Sequence, residues 1–283
     1  MFLFNAGITI ERVDFLSIDG NIIIYYFFRC NSLRMMGIGV FMQKYEIRSY
    51  RNKINAKGLA SFNVTMKETD LWVSAERDLS VETRDIVMSY RYQLENYIQS
   101  HPLFLVTLNP YPPDPYAPLI VQEMINATRD IGVGPMAAVA GAIAQLAAVD
   151  LLQSSDQVIV ENGGDIFMKM KRDAIVSIFA GESPLSEKVG IKIPARIMPV
   201  GICSSSGKVG HSLSLGHSDV ITVISASAIR ADGAATALGN RLKTKKDLEK
   251  VPEWADAMGG ILGGVAILGD AMVPWGDIEL AVL

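Results

Sequence analysis

This sequence contains very little cysteine. Cys30 and Cys203 are the 2 cysteines among 283 residues. Two thiols are too few for a disulfide framework, and these two lie too far apart along the chain to form a zinc knuckle. Disulfide-rich secreted domains and zinc modules are therefore excluded, and the cysteine usage fits a protein of the reducing cytoplasm.

Long runs of charge of one sign are also missing. The formal net charge is −4, and acidic and basic residues are interspersed along the chain. A nucleic-acid-binding surface would need a basic stripe that neutralises phosphates. Nucleic acid is therefore not expected as a partner.

No apolar run is long enough to cross a membrane. The run from Ile22 to Phe28 falls well short of the roughly 20 residues that a bilayer requires. Asp14 and Asp19 precede it where a signal peptide carries positive charge. We interpret residues 1–41 as an extension, either native or the product of a mis-assigned start codon, and Met42 as the start of a single domain that runs to residue 283. No membrane partner is expected.

The rest of the chain is rich in core-forming residues, with 49% hydrophobic composition. Strand-like and helix-like segments alternate without an internal repeat, which predicts an α+β fold. Predicted strands cover 59–66, 71–75, 157–160, 174–180, 219–225, 264–268 and 277–282. Predicted helices cover 79–99 with Ser80 as N-cap, 119–129, 134–152 and a segment that begins near Ser227.

The helix predicted from Gly134 to Leu152 is built largely of alanine and glycine. Small side chains allow another backbone or a flat ligand to come into contact. The N–H groups at the start of a helix have no partner within it and attract anions, so a phosphate at Gly134 is one interpretation. Close packing between the helix and a sheet is the other.

The segment from Gly201 to His211 is rich in serine and glycine. It fails as a Walker A loop, because five residues separate Gly201 from Gly207 and Val209 stands where a metal-binding Ser or Thr is needed. We expect a flexible loop whose hydroxyl and N–H groups contact phosphate and whose histidine transfers protons. A polar surface turn is the alternative.

Asp232 and Thr236 are four residues apart in the segment predicted to be helical after Ser227, so they share one face. A carboxylate and a hydroxyl one turn apart are hard oxygen ligands suited to Mg²⁺ or another divalent cation. We expect an exposed Asp232, so that its replacement by alanine would leave the fold intact. The alternative is that Thr236 bonds to the backbone of its own helix and Asp232 is merely solvated.

Three motifs in order resemble one known family. Glu161–Ile166 reads ENGGDI, a Ser–Gly segment with a histidine follows, and Ala231–Ala237 reads ADGAATA after a strand. Together they resemble the ApbE superfamily of FAD:protein FMN transferases over residues 120–240. From Met42 onward the chain is similar to a cytosolic ApbE-related branch whose role is unassigned.

The resemblance implies a fold of two similar, interlocked α/β subdomains with mixed sheets and flanking helices, with FAD bound between them. Asp232 and Thr236 would hold a divalent cation, with a backbone carbonyl of residues 134–138 as a third ligand. His211 would transfer a proton, and the double glycine would give the ligand close access to the backbone or take positive φ angles. The implied cofactor-binding residues are Gly134, Glu161, Asn162, Gly163, Gly164, Asp165, Ser205, Ser206 and Gly207.

The chain departs from the transferases at two points. No Asp, Pro or Thr follows His211 in the transferase pattern, and the Lys–Gly pair of their helix is absent. Mg²⁺-dependent pyrophosphate chemistry on FAD or a related dinucleotide, by FMN transfer to an acceptor protein or by hydrolysis, is the leading interpretation. Non-catalytic flavin or nucleotide binding, an unrelated reaction at Cys203 or His211, and a structural role remain open. The oligomeric state is also open, with a homo-oligomer among the alternatives.

Overall fold

The computed structural model describes the backbone of residues 8–18, 21–30 and 33–41, and both backbone and side chains of residues 56, 58–206 and 218–283. The chain divides into two compact units, residues 1–48 and 49–283. The first unit contains an antiparallel sheet in the order β1-β2-β3. Its strands are β1 Ile8–Ile18, β2 Asn21–Cys30 and β3 Leu33–Phe41. The domain boundary at residues 41/42 stays a prediction.

The second unit is built on a sheet of eight strands. Its strands are β4 Ala60–Met66, β5 Thr69–Ala75, β6 Val158–Asn162, β7 Asp165–Lys169, β10 Val200–Ser205, β11 Val220–Ser225, β12 Ile261–Leu268 and β13 Ala271–Gly276. Their order is β13-β12-β11-β10-β7-β6-β5-β4. A smaller sheet in the order β14-β9-β8 consists of β8 Ala174–Ser177, β9 Val189–Ile193 and β14 Glu279–Val282.

Helices cover one face of the large sheet. They are α1 Ser80–Ser100, α2 Pro102–Val106, α3 Leu119–Arg129, α4 Val139–Leu151, α5 Ala228–Arg241, α6 Lys245–Leu248 and α7 Val251–Asp256. Alternate residues of each central strand point to opposite faces of the sheet. Val160 and Val223 lie on the helix-covered face and belong to the core shared with α4 and α5. Ile202 and Ile267 lie on the opposite face and belong to a second core shared with Ile191 of β9. The site described below lies on the helix-covered face.

The structure confirms the α+β class and corrects three local expectations. The strand pairs within the described residues are all antiparallel, not mixed. Leu79, not Ser80, is the N-cap of α1, and the Asp78 carboxylate accepts the Ser80 N–H at 2.8 Å. The helix predicted from Gly134 begins as a 3₁₀ turn, Pro135–Ala138, before α4. A division into two similar halves stays a prediction.

Four strands of the second unit, β7, β9, β10 and β13, were not predicted, and one of them changes the site. β10 covers residues 201–205 of the segment expected to be a flexible loop. The loop was expected because glycine and serine favour loops when considered locally. In the structure β10 pairs with β7 on one side and β11 on the other, and five of its six residues, Ser205 among them, are buried. None of the helices in the part of the chain that the structure describes is long and apolar enough to cross a bilayer.

Candidate functional site

The double glycine forms the turn of a β-hairpin. Asn162 of β6 pairs with Asp165 of β7, which leaves Gly163 and Gly164 as a two-residue connection. Their φ angles are +69° and +104°, close to those of a type I′ turn, which requires positive φ at both positions. The Glu161 carboxylate accepts the N–H of Gly164 at 2.7 Å, and this hydrogen bond stabilises the turn. The predicted need for positive φ is confirmed, and ligand contact at the turn stays a prediction.

Gly164 also has free space beside it. A Cβ built on this residue would meet no atom within 4 Å among the described residues. A valine there would therefore be strained by its φ angle alone, and we expect Gly164→Val to lower the free energy of unfolding by about 1–3 kcal/mol. If the turn meets the ligand, the variant should also lose FAD affinity.

Gly58→Val is the matched control, because Gly58 also has a positive φ, +81°, and open space around it. Urea denaturation and FAD titration should show that both variants lose stability and that only Gly164→Val loses affinity. Equal affinity in the two variants would mean that the turn is merely structural.

Two buried carboxyl groups come together behind this hairpin. Asp165 lies at the start of β7 and Asp232 in the second turn of α5, with exposed fractions of 6% and 8%. Asp165 accepts the backbone N–H of Ser204 at 3.2 Å, and Asp232 accepts the N–H of Gly141 at 2.9 Å. Strands β7 and β10 and helices α4 and α5 thus contribute to one acidic centre.

The surroundings of these carboxyl groups favour their protonated forms. Burial raises the pKa of Asp232 to about 7, although the backbone N–H groups of Gly141 and Ala140 oppose the shift. Burial, followed by the negative charge of Asp232, raises the pKa of Asp165 well above its ordinary value. A divalent cation between the two would relieve both effects, because it favours the ionised carboxylates. The donor chemistry of the centre therefore fits the predicted cation.

Cys203 lies in the same centre and is fully buried. Its thiol donates a hydrogen bond to the carbonyl oxygen of Ala228 at 3.3 Å. Burial, together with the negative charges of Asp165 and Asp232, raises the pKa of the thiol well above its ordinary value. A buried thiol that stays protonated is a poor nucleophile, so this environment disfavours the alternative in which Cys203 is the reactive group.

Asp232 and Thr236, the predicted cation ligands, both lie on α5 where the sequence placed them. The helix begins at Ala228, which agrees with the start expected near Ser227. Ser227 is its N-cap, and the Ser227 hydroxyl accepts the N–H of Arg230. Asp232 is neither exposed nor merely solvated, so those two expectations are wrong, whereas Thr236 is half-buried. Within the described residues no group of three or more His, Cys, Asp or Glu side chains is arranged to hold a metal. Direct ligation by this pair stays a prediction.

Other predicted binding residues have defined structural contacts. A Cβ on Gly134 would lie 1.9 Å from the carbonyl oxygen of Thr107, so this glycine permits close packing at the start of the 3₁₀ turn. The side-chain amide of Asn162 donates to the carbonyl oxygen of Ala140 at 3.2 Å and ties the hairpin to the first turn of α4. These contacts explain both residue types without a ligand, and their binding roles stay predictions.

The predicted phosphate-contacting segment is only partly described. Ser205 is the buried last residue of β10 and Ser206 follows it half-buried. Gly207 and His211 lie outside the described residues, so the roles predicted for them in phosphate contact and proton transfer remain predictions.

Sequence reasoning missed two residues that shape the centre. Gly141 donates its N–H to Asp232, and Gln145 accepts hydrogen bonds from the first turn of α5. Gln145 is the single polar side chain between Val139 and Val149, and that isolation within an apolar helix was a usable signal. Gly141 was hidden among the many small residues of α4.

Comparisons with known proteins agree on one family. A family model described as AbpE bacteria matches residues 51–257. The UPF0280 protein of Methanocella arvoryzae is 39% identical over 218 residues, which are 77% of this chain and 89% of the relative. The UPF0280 protein MMP1236 of Methanococcus maripaludis is 42% identical over 181 residues, which are 62% of this chain and 73% of the relative.

Solved structures with the same fold include flavin transferases. The apo form of the flavinyl transferase ApbE of Pseudomonas stutzeri aligns with a TM-score of 0.50 and 14% identity, over 77% of this chain and 93% of the transferase. A mutant of the flavin transferase ApbE of Vibrio cholerae gives the same TM-score and identity, over 77% and 96%. Similarity at this level of identity shows a shared fold. The predicted resemblance is confirmed: the chain has an ApbE-like fold and belongs to the family described as AbpE bacteria, with UPF0280 proteins among its relatives.

Proposed function

We propose that this protein binds FAD or a closely related dinucleotide together with a divalent cation and acts on the pyrophosphate group. The observation that carries the proposal is the buried pair Asp165 and Asp232 beside the Gly163–Gly164 turn. Burying two carboxyl groups side by side is costly unless a cation or a proton neutralises them. The ApbE fold supports the choice of a flavin dinucleotide as the ligand.

The proposal gives the residues of the centre separate tasks. Asp232 and Thr236 would bind Mg²⁺ from one face of α5, and Asp165 would add negative charge from β7. Bound there, the cation would polarise a phosphoryl oxygen and offset the charge that develops in the transition state. Glu161 would hold the hairpin turn in place through the N–H of Gly164, and His211 would donate or accept the proton at the reacting oxygen.

Two outcomes of the chemistry are possible, and their products differ. In hydrolysis, water attacks a phosphorus atom of FAD, the bond to the bridging oxygen breaks, and FMN and AMP are released. In transfer, a hydroxyl group of an acceptor protein attacks the phosphorus atom of the FMN half, and AMP leaves while FMN stays covalently attached. Free FMN therefore distinguishes hydrolysis from transfer.

Incubation of the protein with FAD and Mg²⁺ tests the proposal. We expect tight FAD binding and cation-dependent release of AMP, and a chelator should abolish the release. NAD, a dinucleotide without flavin, is the matched control and shows whether binding requires the flavin group. FAD binding without AMP would favour the alternative of a non-catalytic flavin-binding protein. A protein that binds neither FAD nor NAD in the presence of Mg²⁺ would refute the proposal.

A further inference from the structure

Helices α4 and α5 hold each other through a reciprocal pair of contacts. The Asp232 carboxylate on α5 accepts the backbone N–H of Gly141 on α4 at 2.9 Å. One turn away, the side-chain amide oxygen of Gln145 on α4 accepts the backbone N–H of Ala228 on α5 at 2.7 Å. The two contacts are four residues apart on each helix and run in opposite directions, so they fix the register of two antiparallel helices.

Gln145 uses one oxygen atom for several donors. Besides Ala228, it accepts the hydroxyl hydrogen of Ser227 at 3.0 Å and the N–H of Ile229 at 3.4 Å. The next N–H along the helix, from Arg230, is accepted by the Ser227 hydroxyl. The N–H groups at a helix start are the ones that would otherwise bind an anion. Because Gln145 and Ser227 occupy them, the start of α5 is closed to phosphate and is used to position the helix.

The backbone of Ala228 is enclosed on both sides, so α5 has little freedom to slide. A Cβ on Gly141 would lie 2.4 Å from the Ala228 carbonyl oxygen and 2.9 Å from the Cβ of Asp232. A Cβ on Gly201 of β10 would lie 2.3 Å from the Ala228 Cα. Steric contact therefore sets how close the helix lies, and the hydrogen bonds of Gln145 set its register along α4.

We infer that Gln145 is a positioning residue for the cation site. Gln145 accepts hydrogen bonds from the first turn of α5, and Asp232 lies one turn further along this helix. These bonds therefore hold the Asp232 carboxylate in the acidic centre, where one of its oxygens accepts the N–H of Gly141. This inference rests on the proposed function, in which Asp232 binds a divalent cation. Loss of the Gln145 acceptor should shift or loosen the first turn of α5 and weaken cation binding without removing any ligand.

Three variants test the inference by calorimetric titration with Mg²⁺ at a temperature well below unfolding. Gln145→Met keeps the length of the side chain and removes the acceptor, so Mg²⁺ should bind about 10- to 100-fold more weakly, the range found when a residue that orients a metal ligand is lost. Gln145→Glu keeps the acceptor and should bind within about 3-fold of the parent. Gln145→Asn keeps an amide acceptor on a shorter side chain, so this variant should bind Mg²⁺ with intermediate affinity. It replaces the methionine variant in the test if Gln145→Met does not fold.

Gln122→Met is the matched control. Gln122 lies on α3 and donates to the carbonyl oxygen of Ala117 at 2.7 Å, away from the acidic centre. Its loss should lower the melting temperature without changing Mg²⁺ affinity. Folded Gln145→Met or Gln145→Asn variants that bind Mg²⁺ like the parent would overturn the positioning role alone. A parent protein that binds no divalent cation would overturn the proposed function and the inference together.

Discussion

The cation-free protein should become less stable as the pH rises from 5 to 8. Asp232 has a pKa of about 7 in the folded state, compared with about 4 for an aspartate in an unfolded chain. Between these values the folded state binds more protons than the unfolded state, so the free energy of unfolding falls with rising pH. A shift of three pKa units corresponds to about 4 kcal/mol when complete. Asp165 acts in the same direction, because its pKa is also raised.

The chosen pH range separates these two groups from carboxylates with lowered pKa values and from tyrosines with raised pKa values. Other carboxylates, such as Asp114 and Asp247, have lowered pKa values because hydrogen bonds stabilise their charged forms. Their contribution to stability is complete above about pH 4 and is lost only as the pH falls below that value. Burial raises the pKa of Tyr90 to about 12 and raises the pKa of Tyr97 above its ordinary value, so both stay protonated throughout the range.

Urea denaturation between pH 5 and pH 8 in the presence of a chelator measures this slope. Asp232→Asn should flatten it, because the variant has no carboxyl group to deprotonate at this position. Asp85→Asn, at an exposed position on α1, should leave the slope unchanged. Constant or rising stability of the parent over this range would mean that the two carboxyl groups are not buried together.

Local signals in the sequence predicted much of the fold. Alternating residues predicted a hairpin of strands 59–66 and 71–75 with its turn at residues 67–70. The structure confirms the hairpin and shortens its turn to Lys67–Glu68. The bounds of α3 match the predicted helix 119–129, and α5 begins at Ala228, next to the expected start near Ser227. These features depend on residues close together along the chain, so hydrophobic periodicity was sufficient to find them.

Features that depend on distant residues were not predictable in this way. β10 was interpreted as a loop because its glycine and serine residues favour loops locally, whereas its pairing with β7 and β11 is a tertiary effect. The burial of Asp232 has the same origin, since the covering groups come from α4, about 90 residues earlier in the sequence. Helical spacing placed Asp232 and Thr236 on one face but gave no information about which face is buried.

Replacement of Asp232 should have the largest effect on ligand binding, and the choice of substitute separates charge from structure. Asparagine keeps an oxygen that can accept the Gly141 N–H and removes the negative charge. We therefore expect Asp232→Asn to fold and to bind Mg²⁺ at least about 100-fold more weakly, since loss of even an indirect partner of a metal ligand costs roughly 10–100-fold. Mg²⁺-dependent FAD affinity should fall with it.

Alanine at the same position should add a structural defect. Asp232→Ala leaves the buried N–H of Gly141 without its side-chain acceptor, which costs about 1–3 kcal/mol. At pH 8 the alanine variant should therefore unfold at lower urea concentration than the asparagine variant, while both lose Mg²⁺ binding in calorimetric titration. Thr236→Val, which removes only the hydroxyl group, should weaken Mg²⁺ binding without a comparable loss of stability. Asp232→Asn removes the negative charge and leaves the hydrogen bond to α4 in place. Parent-like Mg²⁺ affinity in this variant would therefore show that the cation binds at another site.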